Sequence, residues 1–314
     1  MIKKILEHEL LMQKPPLLVD IGASGDIHYV WKSIAKYSIC VAFDPDDREL
    51  EVSKESGKGF REFYLINRIV GDEDMDSKDF YLTNSPYCSS SLPADLTSLE
   101  PYNLHDLFEV DKKIQFPSIT IGSALKSVGY DYMDWYKTDT QGTDLRIFTN
   151  IDDSVKEKIL ISEFEPGILD AYIGEDKLYK IMEYFDDLDF WCDDCNIKGM
   201  SRISKKNMDE YLNPLEKKWI QLFQKPAAFW AEISYMNQMN SELLTKRDFL
   251  LMNIFALIKK EYGFVIEICD TASKKYDDDF FQEISSYAVR KMKYEGYKKL
   301  PLFISKKIFH KVVG

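Results

Sequence analysis

The chain has 314 residues, of which 45% are apolar and 14% aromatic, enough for a sizeable core and incompatible with a wholly disordered protein. Its 41 Lys and Arg against 53 Asp and Glu give a net charge of −12, a surface that repels phosphate backbones and argues against nucleic acid as a general partner. No run of about 18 apolar residues occurs, which argues against a membrane span, and five scattered cysteines suit a reducing cytoplasm better than a disulfide scaffold.

In chain order, residues 1–16 read as an N-terminal amphipathic helix. Glu7, His8 and Glu9 interrupt any signal-peptide core. Leu17 to Gly25, L-L-V-D-I-G-A-S-G, is an apolar run ending in Asp20, followed by a small-residue turn between Gly22 and Gly25. Ile27, Val30, Trp31 and Ile34 then have helical spacing, and S-I-C-V-A-F-D-P-D is a second apolar strand ending in acid. Strand, glycine turn, helix, strand and acid together predict a βαβ unit with a parallel sheet.

Further strands are expected over Tyr64–Val70, Ser118–Ile121, Trp135–Asp139 and Lys158–Phe164. Helices are expected over Ser123–Val128 and Gly174–Phe185, the latter with Glu175 and Asp176 in its first turn. Phe190–Asn196 and Met200–Ser204 read as a strand pair turned at Gly199. Met208–Gln224 reads as a helix, and the stretch from Pro226 as a strand. Thr245-x-x-Asp248 reads as a capping box opening a helix that stops at Gly263. The alternation predicts an α/β fold: a doubly wound, mostly parallel sheet with helices on both faces. Residues 17–205 form the expected core, and 206–314 a mainly helical elaboration packed on it as a possible substrate cover. No internal repeat is present.

The glycine turn narrows the ligand. A dinucleotide fingerprint wants glycine where Asp20 stands, and no Walker lysine follows. Asp20 suits a cationic ligand, and S-adenosylmethionine (SAM) carries an amino group and a sulfonium. Gly22, Ala23, Ser24 and Gly25 would form its turn. Asp44 is placed to accept both ribose hydroxyls, with Phe43 or Pro45 packing on adenine. Asp72 or Glu73, in G-D-E-D, is placed to accept the adenine amino group. Ser89, Ser90 and Ser91, in C-S-S-S-L, would line the cofactor or acceptor loop, with Ser90 the candidate cofactor contact.

V-D-I-G-A-S-G, V-A-F-D-P-D, F-Y-L-T-N-S-P-Y-C-S-S-S-L and D-W-Y-K-T-D-T-Q-G-T-D-L, in this order over residues 15–190, resemble the successive signatures of the FkbM family of methyltransferases. The resemblance implies a Rossmann-like class I methyltransferase fold and SAM-dependent O-methylation of a sugar hydroxyl, often in polysaccharide biosynthesis, or of a natural product. The last acid of the motif is Asp144, where the family often has Glu.

Methyl transfer asks the enzyme to position an acceptor and take its proton. Asp139, at the end of the fourth strand, is the candidate base or anchor of the acceptor hydroxyl. Lys137 would pair with Asp139 or bind substrate, and Glu163 or Glu165 would bind the acceptor. Thr143 would cap the next helix, with Asp144 in its first turn. D-T-Q-G-T-D fails the calcium-loop pattern at Gln141 and Phe148. A magnesium ion shared by Asp139 and Glu163 is the metal alternative, and it is not favoured. Cys192 and Cys195 have CxxC spacing, but flanking Asp193 and Asp194 oppose a thiolate, so the pair reads as structural. The rival readings are a SAM-binding assembly module without turnover, supported by the aromatic stretch Trp219–Met236, and an NAD-dependent oxidoreductase. The acceptor's identity and the oligomeric state have no motif.

Overall fold

The structure is a computed structural model that describes residues 1–22, 27–46, 48, 54–55 and 57–313, without the side chains of 221–222 and 301–313. The chain divides into one unit of Pro16–Gln238 and a second of Met1–Pro15 with Met239–Gly314. The boundary therefore falls after residue 238, not at 205.

The first unit is built on ten strands: β1 Leu17–Ile21, β2 Ile39–Phe43, β3 Glu62–Ile66, β4 Ile69–Val70, β5 Met75–Thr83, β6 Val110–Ile119, β7 Trp135–Thr138, β8 Ile161–Phe164, β9 Phe190–Met200 and β10 Ala227–Asn237. Seven form one sheet in the order β3-β2-β1-β7-β8-β10-β9, while β4, β6 and β5 form a separate small sheet. From β3 through β8 all neighbours are parallel, and β10 runs antiparallel to both β8 and β9. Every residue of β1 and β2 is buried, as a central parallel strand requires, which is why both read as unbroken apolar runs. This is a mixed α/β, Rossmann-like sheet. Its chain order reverses between β1 and β7, and such sheets bind ligands in the crevice at the carboxyl ends of the strands there.

Leu17, Val19, Val41 and Phe43 share one core with Tyr136, Phe148, Phe164 and Phe185. Phe185 stacks on Tyr235 of β10 at 4.1 Å between ring centres, tying the reversed strand to that core. A second cluster gathers Leu99, Tyr102, Leu104, Phe108, Tyr172 and Phe229.

Several expected elements differ. The expected strand 64–70 breaks at Asn67–Arg68, and its last two residues join the small sheet. The segment Tyr29–Tyr37 forms two 3₁₀ turns in place of an α-helix, although Trp31 and Ile34 are buried as the spacing predicts. Residues 190–200 are one strand, not a hairpin turned at Gly199; a Cβ on Gly199 would lie 2.5 Å from the Ala227 carbonyl oxygen of the paired strand. Pro214 splits the expected helix 208–224 into Lys205–Tyr211 and Pro214–Phe223, the second opened by an Asn213–Glu216 capping box. The helix expected over 174–185 begins only at Leu178.

The other unit is helical. Two short helices, Ile2–Leu6 and Glu9–Gln13, replace the single N-terminal one. Three longer ones follow: Lys246–Lys259, Tyr262–Tyr276 and Asp279–Val313. The Asp248 carboxylate accepts from the Thr245 N–H at 2.8 Å, as the capping box requires. The helix ends at Lys260, in a left-handed conformation with φ 66°, and Gly263 lies inside the next helix. Among the described residues no helix is long and apolar enough to cross a membrane.

Candidate functional site

The registers of β1, β7, β8 and β10 align Asp20, Lys137, Glu163 and Ser234 in one polar row across the sheet. The Lys137 ammonium lies 3.3 Å from Asp20 Oδ1 and 4.0 Å from Glu165 Oε1. Burial opposes its charge, but Asp20, Glu165, Asp139 and Glu163 outweigh that and raise its pKa above the usual lysine value. Asp20, 1% exposed, also accepts from the His28 backbone N–H at 3.2 Å. The structure therefore pairs Lys137 with Asp20 and Glu165. Glu163 accepts from the Trp135 indole at 3.0 Å, lies 3.4 Å from His28 Nε2 and takes the Ser234 hydroxyl at 3.4 Å. Glu165, just past the end of β8, lines a cavity.

Two cavities open at the strand ends. The first, about 670 Å³, lies where β1, β2 and β7 end. Gly22, Phe43, Asp44 and Pro45 line it as the motifs predict. Gly22 has φ 81°, and a Cβ there would sit 2.0 Å from the Asp139 carbonyl oxygen, so only glycine fits. Asp44 is 2% exposed, and its Oδ1 accepts from the Asp46 N–H at 2.8 Å, which turns the chain beyond β2. Asp46 holds the Arg48 guanidinium, which donates in turn to the Thr83 carbonyl and Ser89 hydroxyl at 3.0 Å each. Ala23, Ser24 and Gly25 lie outside the described residues.

Three of the expected cofactor residues do not line this cavity. Asp72 and Glu73 are exposed, and Asp72 pairs with Lys78 at 3.4 Å; the break before β4 carries them off the main sheet, and Arg68, Ile69 and Val70 line the cavity in their place. Ser90 is buried behind the wall, donating to the Gln141 carbonyl at 2.8 Å, while Ser89 and Ser91 face the cavity.

The second cavity, about 920 Å³, has aromatic and aliphatic walls that include Phe108, Tyr172, Phe229 and Trp230, with Glu165 and Glu175 among them. Tyr87, Asp139 and Gln141 line both cavities. Gln141 has φ 57°, unusual for a residue other than glycine. Its amide donates to Asp139 Oδ1 at 2.5 Å, and its carbonyl lies 2.9 Å from the donating Tyr172 hydroxyl. Tyr172, Gln141 and Asp139 thus form a chain that fixes the carboxylate. No motif marked Gln141, Tyr172 or Tyr87; the one local sign was Gln141 beside a glycine.

Burial pushes the Asp139 carboxyl up, the Lys137 charge pulls it down, and Asp144 pushes it up again, for a net rise. Glu165 rises further, through burial and then the Asp139 charge, against Lys137. Asp144 is fully buried and accepts from the Thr138 and Thr140 hydroxyls at 2.7 and 2.9 Å and the Thr140 N–H at 3.0 Å. It clamps the 138–144 turn; Thr143 occupies the cap position without a capping bond, its hydroxyl donating to the Thr140 hydroxyl at 2.9 Å. Glu175 and Asp176 likewise serve tertiary contacts, Glu175 accepting from the Ala171 N–H at 2.9 Å and Asp176 from the Arg146 fork.

Among the described residues no group of three or more His, Cys, Asp or Glu converges as a metal site. Cys192 and Cys195 are free and exposed on β9, their thiols held above the usual value by partial burial and by neighbouring acids, the opposite of an activated redox pair. Comparison with protein-family models, curated proteins and solved structures finds no match to this chain.

Proposed function

We propose that the protein is a SAM-dependent O-methyltransferase of the FkbM kind, acting in the cytoplasm on a hydroxyl of a sugar or natural product. The observation that carries this reading is the pair of cavities meeting at Asp139, one at the switch point of the sheet and the other walled by aromatic side chains. Bound SAM would supply an electrophilic methyl group on a sulfonium. Asp44 is the ribose partner, and Phe43, Ile69, Val70 and Phe80 offer apolar walls to adenine. Gly22 keeps the β1 turn against the backbone of Asp139. Asp139 accepts the proton of the acceptor hydroxyl, held in aim by Gln141. None of the described residues lining the second cavity is Lys, Arg or His, while Asp139, Glu165 and Glu175 are acidic, which favours an acceptor without negative charge.

The oxidoreductase reading is weaker. Asp20 stands at the dinucleotide glycine, and the reversed β10 is inserted between β8 and β9, where the dinucleotide-binding order has no strand. Isothermal titration of the full chain with SAM and with its demethylated product tests the proposal. Binding is expected, weakened by about 2 kcal/mol in Asp44→Ala through the lost pair of hydroxyl contacts. An absence of binding, or NADH binding that Asp44→Ala leaves intact, would sink it. A SAM-binding module without turnover predicts binding and no methyl transfer to any hydroxylated acceptor.

A further inference from the structure

Charge is distributed unevenly along this chain. Residues 290–314 contain eight Lys or Arg and a single acid, Glu295, for a net +7. The whole chain carries −12, so residues 1–289 carry −19. The basic stretch is the far part of the helix Asp279–Val313. Phe281, Ile284 and Ala288 are buried within their unit, but from Met292 to Leu300 every residue is exposed except the half-buried Glu295. Tyr294 and Tyr297 are 56% and 72% exposed, and Met292 and Leu300 are 43% and 49% exposed.

We infer that this basic, apolar-interleaved end of the helix docks on an anionic lipid surface. Among the described residues Arg290, Lys291, Lys293, Lys298 and Lys299 make no ion pair, so their charge is not spent on the acids of the chain. Lys298 lies over the Tyr294 ring at 5.6 Å and leaves its ammonium exposed. The sequence continues with Leu300, Phe303, Ile304, Ile308 and Phe309 set among Lys306, Lys307 and Lys311. A polybasic stretch is drawn to anionic headgroups, and the exposed Met292, Tyr294, Tyr297 and Leu300 between the cations add apolar area that can enter the acyl boundary. A nucleic acid would use the cations but has no place for aliphatic side chains along its phosphates. The stretch from residue 290 to 313 spans about 36 Å as a helix, several times the screening length of about 8–10 Å at physiological salt.

This inference does not rest on the methyl-transfer reading. The test is co-sedimentation of the full chain with vesicles of phosphatidylcholine alone, and with vesicles in which about a third of the lipid is phosphatidylserine. Partition into the anionic vesicles at an ionic strength of about 0.1 M, and its loss near 1 M, is expected. Lys298→Ala with Lys299→Ala should weaken partition by roughly 25-fold, at about fivefold per lysine. The unfolding temperature should not change, because both side chains are exposed. Equal partition into both vesicles, no partition into either, or wild-type partition by the double variant overturns the inference. So does tighter binding to a DNA duplex than to the anionic vesicles.

Discussion

The two cavities that meet at Asp139 are walled in different ways. The first is lined at its base by Ile21, Gly22, Phe43 and Asp44, each at or just beyond the end of a central parallel strand. These positions are fixed by ladder hydrogen bonds and by strands buried on both faces. The second draws its walls from Tyr87 to Phe108, Gly167 to Glu175, Met200 and Phe229–Trp230, which the chain brings together from loops, short helices and the far end of β9 and β10. A sheet edge holds one ligand shape rigidly; loop-borne side chains can be exchanged without disturbing the sheet. The difference suits a constant cofactor on one side and a particular acceptor on the other.

The sharpest way to break that comparison is at the shared wall. Asp139→Asn is expected to lower methyl transfer by about 10²–10⁴-fold, the usual worth of a positioned general base. Titration of the demethylated cofactor should change by less than about threefold, since Asn keeps the size and leaves the first cavity intact. Equal losses in both measurements would place Asp139 in cofactor binding alone. The pH profile adds a sign. Because the Asp139 carboxyl is raised, the base form appears only above the ordinary aspartate value of about 3.9. Turnover should therefore climb with pH through an acid limb lying above that value, and Asp139→Asn should flatten the limb.

A change confined to the first cavity is expected to be somewhat smaller. Gly22→Ala forces a Cβ to within 2.0 Å of the Asp139 carbonyl oxygen at a φ of 81°, so the turn must shift. A loss of about 1–3 kcal/mol in cofactor affinity follows, measured by titration. Circular dichroism and thermal unfolding would separate that loss from a failure to fold. Apolar compounds that bind the second cavity of the wild type should still bind this variant.

The same contrast explains what was legible in the sequence. Central parallel strands announce themselves as apolar runs, and the residue after each run must sit at the sheet's carboxyl edge. That logic put Gly22, Phe43, Asp44 and Asp139 at the first cavity. It failed for Asp72 and Glu73 because an apolar run does not reveal a break in pairing: Asn67–Arg68 interrupts the ladder, and β4 leaves the sheet. For the pair Glu163 and Glu165, alternation gives the shared face of the strand but not which of the two lines a cavity. Glu163 lies in the polar row across the sheet, and Glu165, on the same face but two residues further, lines the second cavity. Tyr87, Gln141 and Tyr172 come from three separate stretches and meet only through tertiary packing, so no local pattern could join them. The glycine at 263 looked like a helix stop, yet the stop is Lys260 in a left-handed conformation, its N–H closing the last turn onto the Ala256 and Leu257 carbonyls.

The smallest expected effect is the most discriminating for the second cavity. Burial and the Asp139 charge raise the Glu165 pKa above that of an unfolded glutamate, about 4.3. A raised folded pKa contributes stability below the unfolded value and loses it as pH rises through the folded one. Glu165→Gln removes that loss. Thermal unfolding followed from pH 5 upward should thus show the variant gaining on the wild type as pH rises, by about 1 kcal/mol or roughly 2–4 °C. Lys137 keeps Asp20 at 3.3 Å, closer than Glu165 at 4.0 Å, so the variant does not strand a buried cation. A variant less stable by the same margin at every pH would mean that Glu165 is ionised throughout and serves as a fixed partner of Lys137. The second cavity would then be more acidic still, and an acceptor with negative charge even less suited to it.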